Sequence, residues 1–269
     1  MADKAAPLPT RMGQGRDLIL GRLGQRVALA VMVVGIWWVA ALGTPEYVFP
    51  GPAAVWDSLA RLAGEGVLFE HIAITFYRVV GGFMMAAVVG LPLGVLLGAS
   101  RGLGSFLEPV LTIIAAVSST CWAILAVIWF GLSDATPMFV VFMTALPLVA
   151  TNVWQGTRNV SWEWLELARS MQLGRVRTFT KIYVPSILPY FYSASRLALG
   201  FGWRVSLVAE ALGAGSGVGY MILRAADLVQ TAQVFAWTIA VVATMLLIEG
   251  LCIRPTESWL FRWKKQAES

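Results

Sequence analysis

Three arginines stand inside long apolar runs of this sequence: Arg78, Arg196 and Arg204. A guanidinium stays charged and carries five donors, so inside an apolar helix it must be hydrated, paired or stretched towards a polar surface. One that faces a water-filled cavity gives it a positive potential and favours an anion. Arg204, in FGWRVSLVAE beside Trp203, lies near the middle of its run, and the only carboxylate near it on that segment is Glu210, six residues on. Snorkelling or an interhelical ion pair competes with the cavity reading for all three. A second polar constellation, Ser118-Ser119-Thr120-Cys121-Trp122, sits midway along another apolar run. Its hydroxyls, thiol and indole either line a cavity or, for the hydroxyls, bond back to their own helix.

Bond-making chemistry finds little support. The lone histidine, His71, cannot build a metal site and reads as an interfacial polar residue. No G-x-x-x-x-G-K-[S/T] occurs, and GAGSGVG at 213–219 lacks the lysine a phosphate cradle needs, so it reads as a flexible outer loop. No cluster of His, Asp and Glu supplies an acid–base pair or a metal site, which disfavours an embedded enzyme. Cys121 and Cys252 both lie in apolar runs, which excludes a disulfide framework. The net charge of +5 is dispersed in short joints without a clustered recognition surface, which argues against nucleic acid.

The elements that hold these residues follow from composition. Of 269 residues, 58% are hydrophobic and only 13% charged, against about 25% charged in soluble domains. That excludes a soluble globular chain and a disordered one, and 12 Trp with 13 Phe suits lipid. Apolar runs of spanning length predict six transmembrane helices near 27–43, 72–98, 106–131, 137–155, 186–212 and 233–253, an all-α polytopic fold. The first run is longer than a leader's core and follows some 26 residues of polar chain, so it reads as a span. The expected organisation is an N-terminal arm at 1–26, one permeation domain at 27–253 with a long polar loop at 156–185, and a tail at 254–269.

Orientation follows from Lys and Arg. Fifteen of the 20 fall in the arm, the second-to-third joint, the 156–185 loop and the tail, whereas the opposite joints hold only Arg61 and Arg224. Both termini and the long loop are therefore expected in the cytoplasm. Gly82, Ala86, Gly90, Gly94 and Gly98 recur every four residues in span two, a ridge that lets another helix approach closely, and Pro92 is expected to kink it. Residues 52–69 read as a short helix along the outer surface with Val55, Leu59 and Leu62 on one side. Glu249, near the end of span six, is placed to reach headgroups or Arg254.

The segment SWEWLELARSMQLGRVRTFTKIYVPSILP at 161–189 is too polar to span. A helix from Ser161 through Met171, a stop at Leu173-Gly174 and a second short helix from Val176 to Tyr183 before Pro185 predict a docking surface for a soluble partner. Glu166, Ala168, Ile182 and Pro185 fall where the permease subunits of bacterial ATP-binding-cassette importers carry Glu-Ala-Ala, a later Gly and Ile-x-Leu-Pro. Leu167 replaces the first Ala, Gln172 stands where the Gly is expected, and Val184 replaces Leu. The stretch resembles that family's cytoplasmic loop, and VFPGPAAVWDSLARL, HIAITFYRVVGGF, AILAVIWFGLSDATPMF and SGVGYMILRAADLVQTAQVF extend the resemblance along nearly the whole chain. The last of these is similar to the branch that moves nitrate, taurine, alkanesulfonates, bicarbonate, thiamine precursors or aromatic acids.

The resemblance implies a homodimer or a pair of similar permeases, two ATPase subunits using ATP and Mg on the cytoplasmic side, and an extracytoplasmic solute-binding protein. It implies a lipid-embedded chain in the bacterial inner membrane that binds no cofactor itself. It further implies that Glu166, Ala168, Arg169, Ser170, Met171, Gln172 and Gly174 belong to the helix that docks into the ATPase, with Ala168 and Ser170 permitting close approach and Glu166 and Arg169 at the rim. Arg204, Trp203, Arg78 and the 118–122 run are the candidates for a translocation path. A self-sufficient secondary transporter or channel is the alternative, disfavoured by the absence of an inverted repeat and the scarcity of intramembrane acids.

Overall fold

The computed structural model describes residues 11–250, all of whose regular elements are helical. The helices are α1 (Arg11–Leu42), α2 (Pro52–Gly64), α3 (Val67–Ala99), α4 (Arg101–Ala116), α5 (Ser119–Phe130), α6 (Ala135–Arg158), α7 (Trp162–Ser170), α8 (Arg175–Thr178), α9 (Val184–Gly213), α10 (Val218–Asp227) and α11 (Thr231–Ile248). A π-helical turn, Phe179–Tyr183, joins α8 to α9. Residues 1–10, the 254–269 tail with Arg254, the last residues of span six and Cys252 lie outside the described residues.

α3, α6 and α9 form the central layer, because the small-residue ridge of α3 lies against α6. A Cβ added at Gly82 would meet the Met138 carbonyl at 2.5 Å, one at Gly90 would meet Val149 at 2.9 Å, and one at Gly94 would meet the Ala150 carbonyl and Val153 at 2.7 Å. Gly98 lies equally close to Thr157. Lipid gives helices no hydrophobic reason to associate, so this approach of backbone to backbone supplies the dispersion contacts instead. Phe83, Ala86, Ala145, Val149, Val153, Ala194 and Ala198 fill the seam among the three helices.

α4 and α5 pack on one side of this layer, and α2, α10 and α11 on the other. Val55 and Leu62 of α2 are buried and Leu59 packs beside them, as the spacing predicts. α1 touches the rest through Trp37, whose indole N–H donates to the Pro50 carbonyl at 3.1 Å and whose ring stacks on Phe235. Val31, Val33, Ile36, Trp38 and Val39 of α1 are exposed, a surface suited to lipid or a neighbouring subunit.

Three helices, α3, α6 and α11, are long and apolar enough to cross a membrane, and two bent pairs bring the number to five. The expected third span is one of those pairs: α4 and α5 meet at 89° across Val117 and Ser118, so 106–131 is not a single straight helix. The expected fifth span continues through a 52° bend into α10. The apolar part of α1, Val27–Leu42, is shorter.

Replacing Gly94 by Leu should force α3 away from α6 and lower stability by about 2–3 kcal/mol, in the range of core overpacking. Gly35→Ala, on an open helix face where a Cβ meets nothing within 4 Å, should leave it unchanged or slightly higher. Thermal unfolding in detergent checks both, and equal midpoints for the two variants would refute the ridge assignment.

Candidate functional site

The most highly connected polar group of the bundle is Arg78, which is 1% exposed. Its Nε and Nη2 donate to Asp134 Oδ1 at 2.9 and 2.5 Å, Nη1 donates to Glu210 Oε1 at 3.0 Å and to the Ser216 carbonyl at 2.7 Å, and Nη2 also donates to Ser216 Oγ at 2.8 Å. Glu210, fully buried, accepts in addition from Thr75 Oγ1 and from the Gly219 amide, both at 2.9 Å. Buried charges survive only when paired and hydrogen-bonded on every side, and this pair meets that condition.

These contacts fix the loop that enters α10. Gly217, the residue before that helix, has no side chain with which to cap it. Three successive amides find acceptors elsewhere: Gly217 N–H donates to His71 Nδ1 at 3.0 Å, Val218 N–H to Thr75 Oγ1 at 2.9 Å, and Gly219 N–H to Glu210 Oε2. His71, Thr75 and Arg78 lie three and four residues apart on one face of α3, while the Glu210 carboxylate faces the positive end of α10. Gly217 has φ +98, and a Cβ there would collide with Glu210 and Arg78. The 213–219 run is thus a pinned strap and not a flexible loop, and Arg78 is a structural ion-pair partner that lines neither of the cavities beside α9.

Arg204 lies elsewhere. Glu210, its nearest carboxylate in sequence, is committed to Arg78. Arg204 is exposed, its guanidinium lies 5.9 Å over the Phe201 ring, and no ion pair to it is present among the described residues. With Trp203, Arg196, Glu249, Phe76 and Met245 it lines a cavity of about 400 Å³ between α3, α9 and α11. Arg196 pairs with Glu249 at 3.1 Å, so Glu249 has a partner inside the bundle. The Trp203 indole N–H is buried without a partner.

The 118–122 run separates. Ser118 opens α5 as its cap, accepting from the Thr120 amide at 3.4 Å. Ser119 and Trp122 line a second cavity of about 500 Å³ with Thr112, Thr144, Thr151 and Phe201, and the Trp122 indole N–H has no partner. Thr120 and Cys121 are exposed and do not line it. The break at Val117 explains the division, because it turns the run from the middle of a helix into its first turn.

At the opposite end of the bundle, α7 presents Trp162, Trp164, Glu166, Leu167, Arg169, Ser170 and Met171 at its surface, with Arg169 4.8 Å over the Trp162 ring. Ala168 is 2% exposed and packs into its own chain, so a larger residue there would disturb the loop before it met any partner. The helix ends in a Schellman motif: Leu173 N–H donates to the Ala168 carbonyl and Gln172 N–H to that of Arg169. Gln172 has φ +52, the left-handed conformation that glycine takes most readily. It therefore performs the glycine turn at the position where the resembling family has Gly. Gly174 is extended and does not make the turn. The second short helix is not separate: α8, the π-helical turn and α9 run on as one rod.

Holding Gln in the left-handed region costs about 1 kcal/mol. Gln172→Gly should therefore be at least as stable as the parent, and Gln172→Val less stable by about 1 kcal/mol, because a β-branched residue tolerates positive φ worst. Thermal unfolding of the two variants checks the sign, and a destabilised Gly variant would contradict the turn.

Residues 90–251, more than half of the chain, match the family described as binding-protein-dependent transport system inner membrane component. The chain is 31% identical over 242 residues to a Bacillus subtilis protein named as an aliphatic sulfonates transport permease, covering 89% of this chain and 87% of that relative. It is 26% identical over 258 residues to the taurine transport system permease protein of Escherichia coli, covering 91% and 93%. It is 30% identical over 263 residues to the nitrate import permease protein of Leptolyngbya laminosa, covering 93% and 94%. The fold is similar to a solved inward-facing structure of the methionine ABC transporter MetNI, with a TM-score of 0.59 at 17% identity over 70% of this chain and 95% of that one. The chain belongs to the family of binding-protein-dependent transport system inner membrane components and is a permease subunit of an ATP-binding-cassette importer.

Proposed function

We propose that this permease crosses the bacterial inner membrane six times with both termini inside, and that two copies enclose a path for a small oxyanion. An external binding protein delivers the solute, and two ATPase subunits that hydrolyse ATP with Mg drive the cycle. Nothing in this chain resembles a nucleotide site, so its own part is to bind, orient and release. The exposed face of α7 is the ATPase contact: Trp162, Trp164, Leu167 and Met171 supply apolar anchors, and Glu166 and Arg169 supply charge at the rim. Sulfonates, taurine and nitrate, for which the relatives are named, share an anionic group with equivalent oxygens.

The observation that carries the oxyanion reading is Arg204. Its guanidinium sits 20 residues beyond the start of a 30-residue helix, exposed in an apolar-walled cavity, with no carboxylate paired to it among the described residues. A cation placed so deep costs several kcal/mol unless hydrated or shared with an anion. Trp203 and Trp122 line cavities that share Phe201, so the wall around the charge is largely aromatic and apolar. A path must hold its solute weakly, and one fixed charge in such a wall meets that need.

Reconstituted with its ATPase and binding protein, Arg204→Gln should lower uptake of a sulfonate or nitrate about tenfold, the worth of one charge-assisted contact, while basal ATP hydrolysis stays near the parent rate. Uptake at the parent rate by an assembled variant would remove Arg204 from the path.

A further inference from the structure

Arg61 and Arg224 are the only basic residues in the joints opposite the arginine-rich loop. They come from widely separated parts of the chain, yet α2 and α10 bring both to the wall of one cleft of about 490 Å³. Both side chains are exposed, and among the described residues neither guanidinium has an ion-pair partner. The side-chain amides of Gln230 and Gln233 line the same cleft, as does His71. The Nδ1 of His71 is occupied by the Gly217 amide, which leaves Nε2 to carry the proton and donate. Glu65 is the one carboxylate on the wall.

We infer that this cleft is a second anion subsite, which receives a small oxyanion on the outer side before it reaches the path. The class of ligand rests on the oxyanion reading above; the site itself rests on the convergence of two unpaired guanidinium groups in a concavity of ligand size. Two forked donors on a wall that also carries Gln230 and Gln233 match an oxygen-rich monoanion, and Glu65 sets a ceiling on its affinity. The site is half-open and screened by water, so its grip is weak, as a point of passage requires. Its floor includes His71, which also holds the strap at Gly217, so an occupied cleft lies against the group that fixes the entry to α10.

Modification of Arg224 by phenylglyoxal, read peptide by peptide on the purified full-length permease in nanodiscs, tests the site locally. Methanesulfonate should protect Arg224, and chloride at matched ionic strength should not. The half-protecting concentration should rise about tenfold in Arg61→Gln and fall several-fold in Glu65→Gln, while chloride stays without effect in both. Arg204→Gln should leave it unchanged. Equal protection by chloride, or protection indifferent to Arg61 and Glu65, overturns the subsite. Protection by hexaglutamate but not by methanesulfonate also overturns it, and assigns the cleft to an acidic protein surface. Loss of uptake in Arg204→Gln without any protection at Arg224 would leave the oxyanion path standing and the cleft refuted; protection with parent-rate uptake would mean the reverse.

Discussion

A helix that begins on a glycine inside an apolar bundle leaves its first amides without acceptors, and the whole α10 end of this permease is organised around supplying them. Glu210 accepts from one of those amides and balances the charge of Arg78, while Thr75 relays a second and His71 takes the third. Each group answers a need of another: the carboxylate needs donors, the guanidinium needs acceptors and the amides need a negative partner. Removing any one leaves a buried polar atom unmet, a loss of about 1–3 kcal/mol for a neutral group and more for a charge. Gly217 is dictated by the same cluster, since a Cβ there meets the Glu210 carboxylate and Arg78 Nη1, whereas Gly219 is dictated by the Leu207 carbonyl of α9.

The clamp also explains how one chain holds two ends with different tasks. α8, the π-helical turn and α9 run as one rod from Arg175 to Gly213, which starts just after the turn that ends α7. α7, attributed to the ATPase contact, thus leads into the rod, along which stand in order Arg196, Arg204 in its cavity and Glu210 in the clamp. A displacement of α7 therefore acts on the same element that carries the cavity charge and anchors the strap. The glycine ridge of α3 keeps that rod against a rigid neighbour, because α3 is locked to α6 at close range.

Periodicity and charge counting made much of this legible. The apolar runs locate α3, α6, α9 and α11 within a few residues, and the four-residue spacing of small residues identifies the α3 face that packs. The short amphipathic helix, with Val55 and Leu62 buried and Leu59 packed beside them, is equally plain. What the apolar content of 106–131 does not show is that the run breaks: Ser118, polar within it, caps a new helix by accepting from the Thr120 amide, and α5 leaves α4 at 89° to pack on α6 and α9. Distance along the chain hides the clamp: Glu210 stands six residues from Arg204 yet pairs with Arg78 of another helix. Arg78 stands 11 residues beyond the start of α3 and Glu210 three residues before the end of α9, and only the packing of those two helices brings them together. The glycine-rich strap read as flexible for the same reason, since glycine also serves where another group must come close.

Arg78 and Glu210 stabilise the bundle as a coupled pair. A double-mutant cycle measures this directly: unfolding free energies in detergent for Arg78→Met, Glu210→Met and the double variant. Each single change should cost about 3 kcal/mol or more, because it strands the opposite charge in a buried site, and the double should cost less than the sum by at least about 1.5 kcal/mol. Strictly additive losses would contradict it, showing that the two side chains occupy one place without depending on each other.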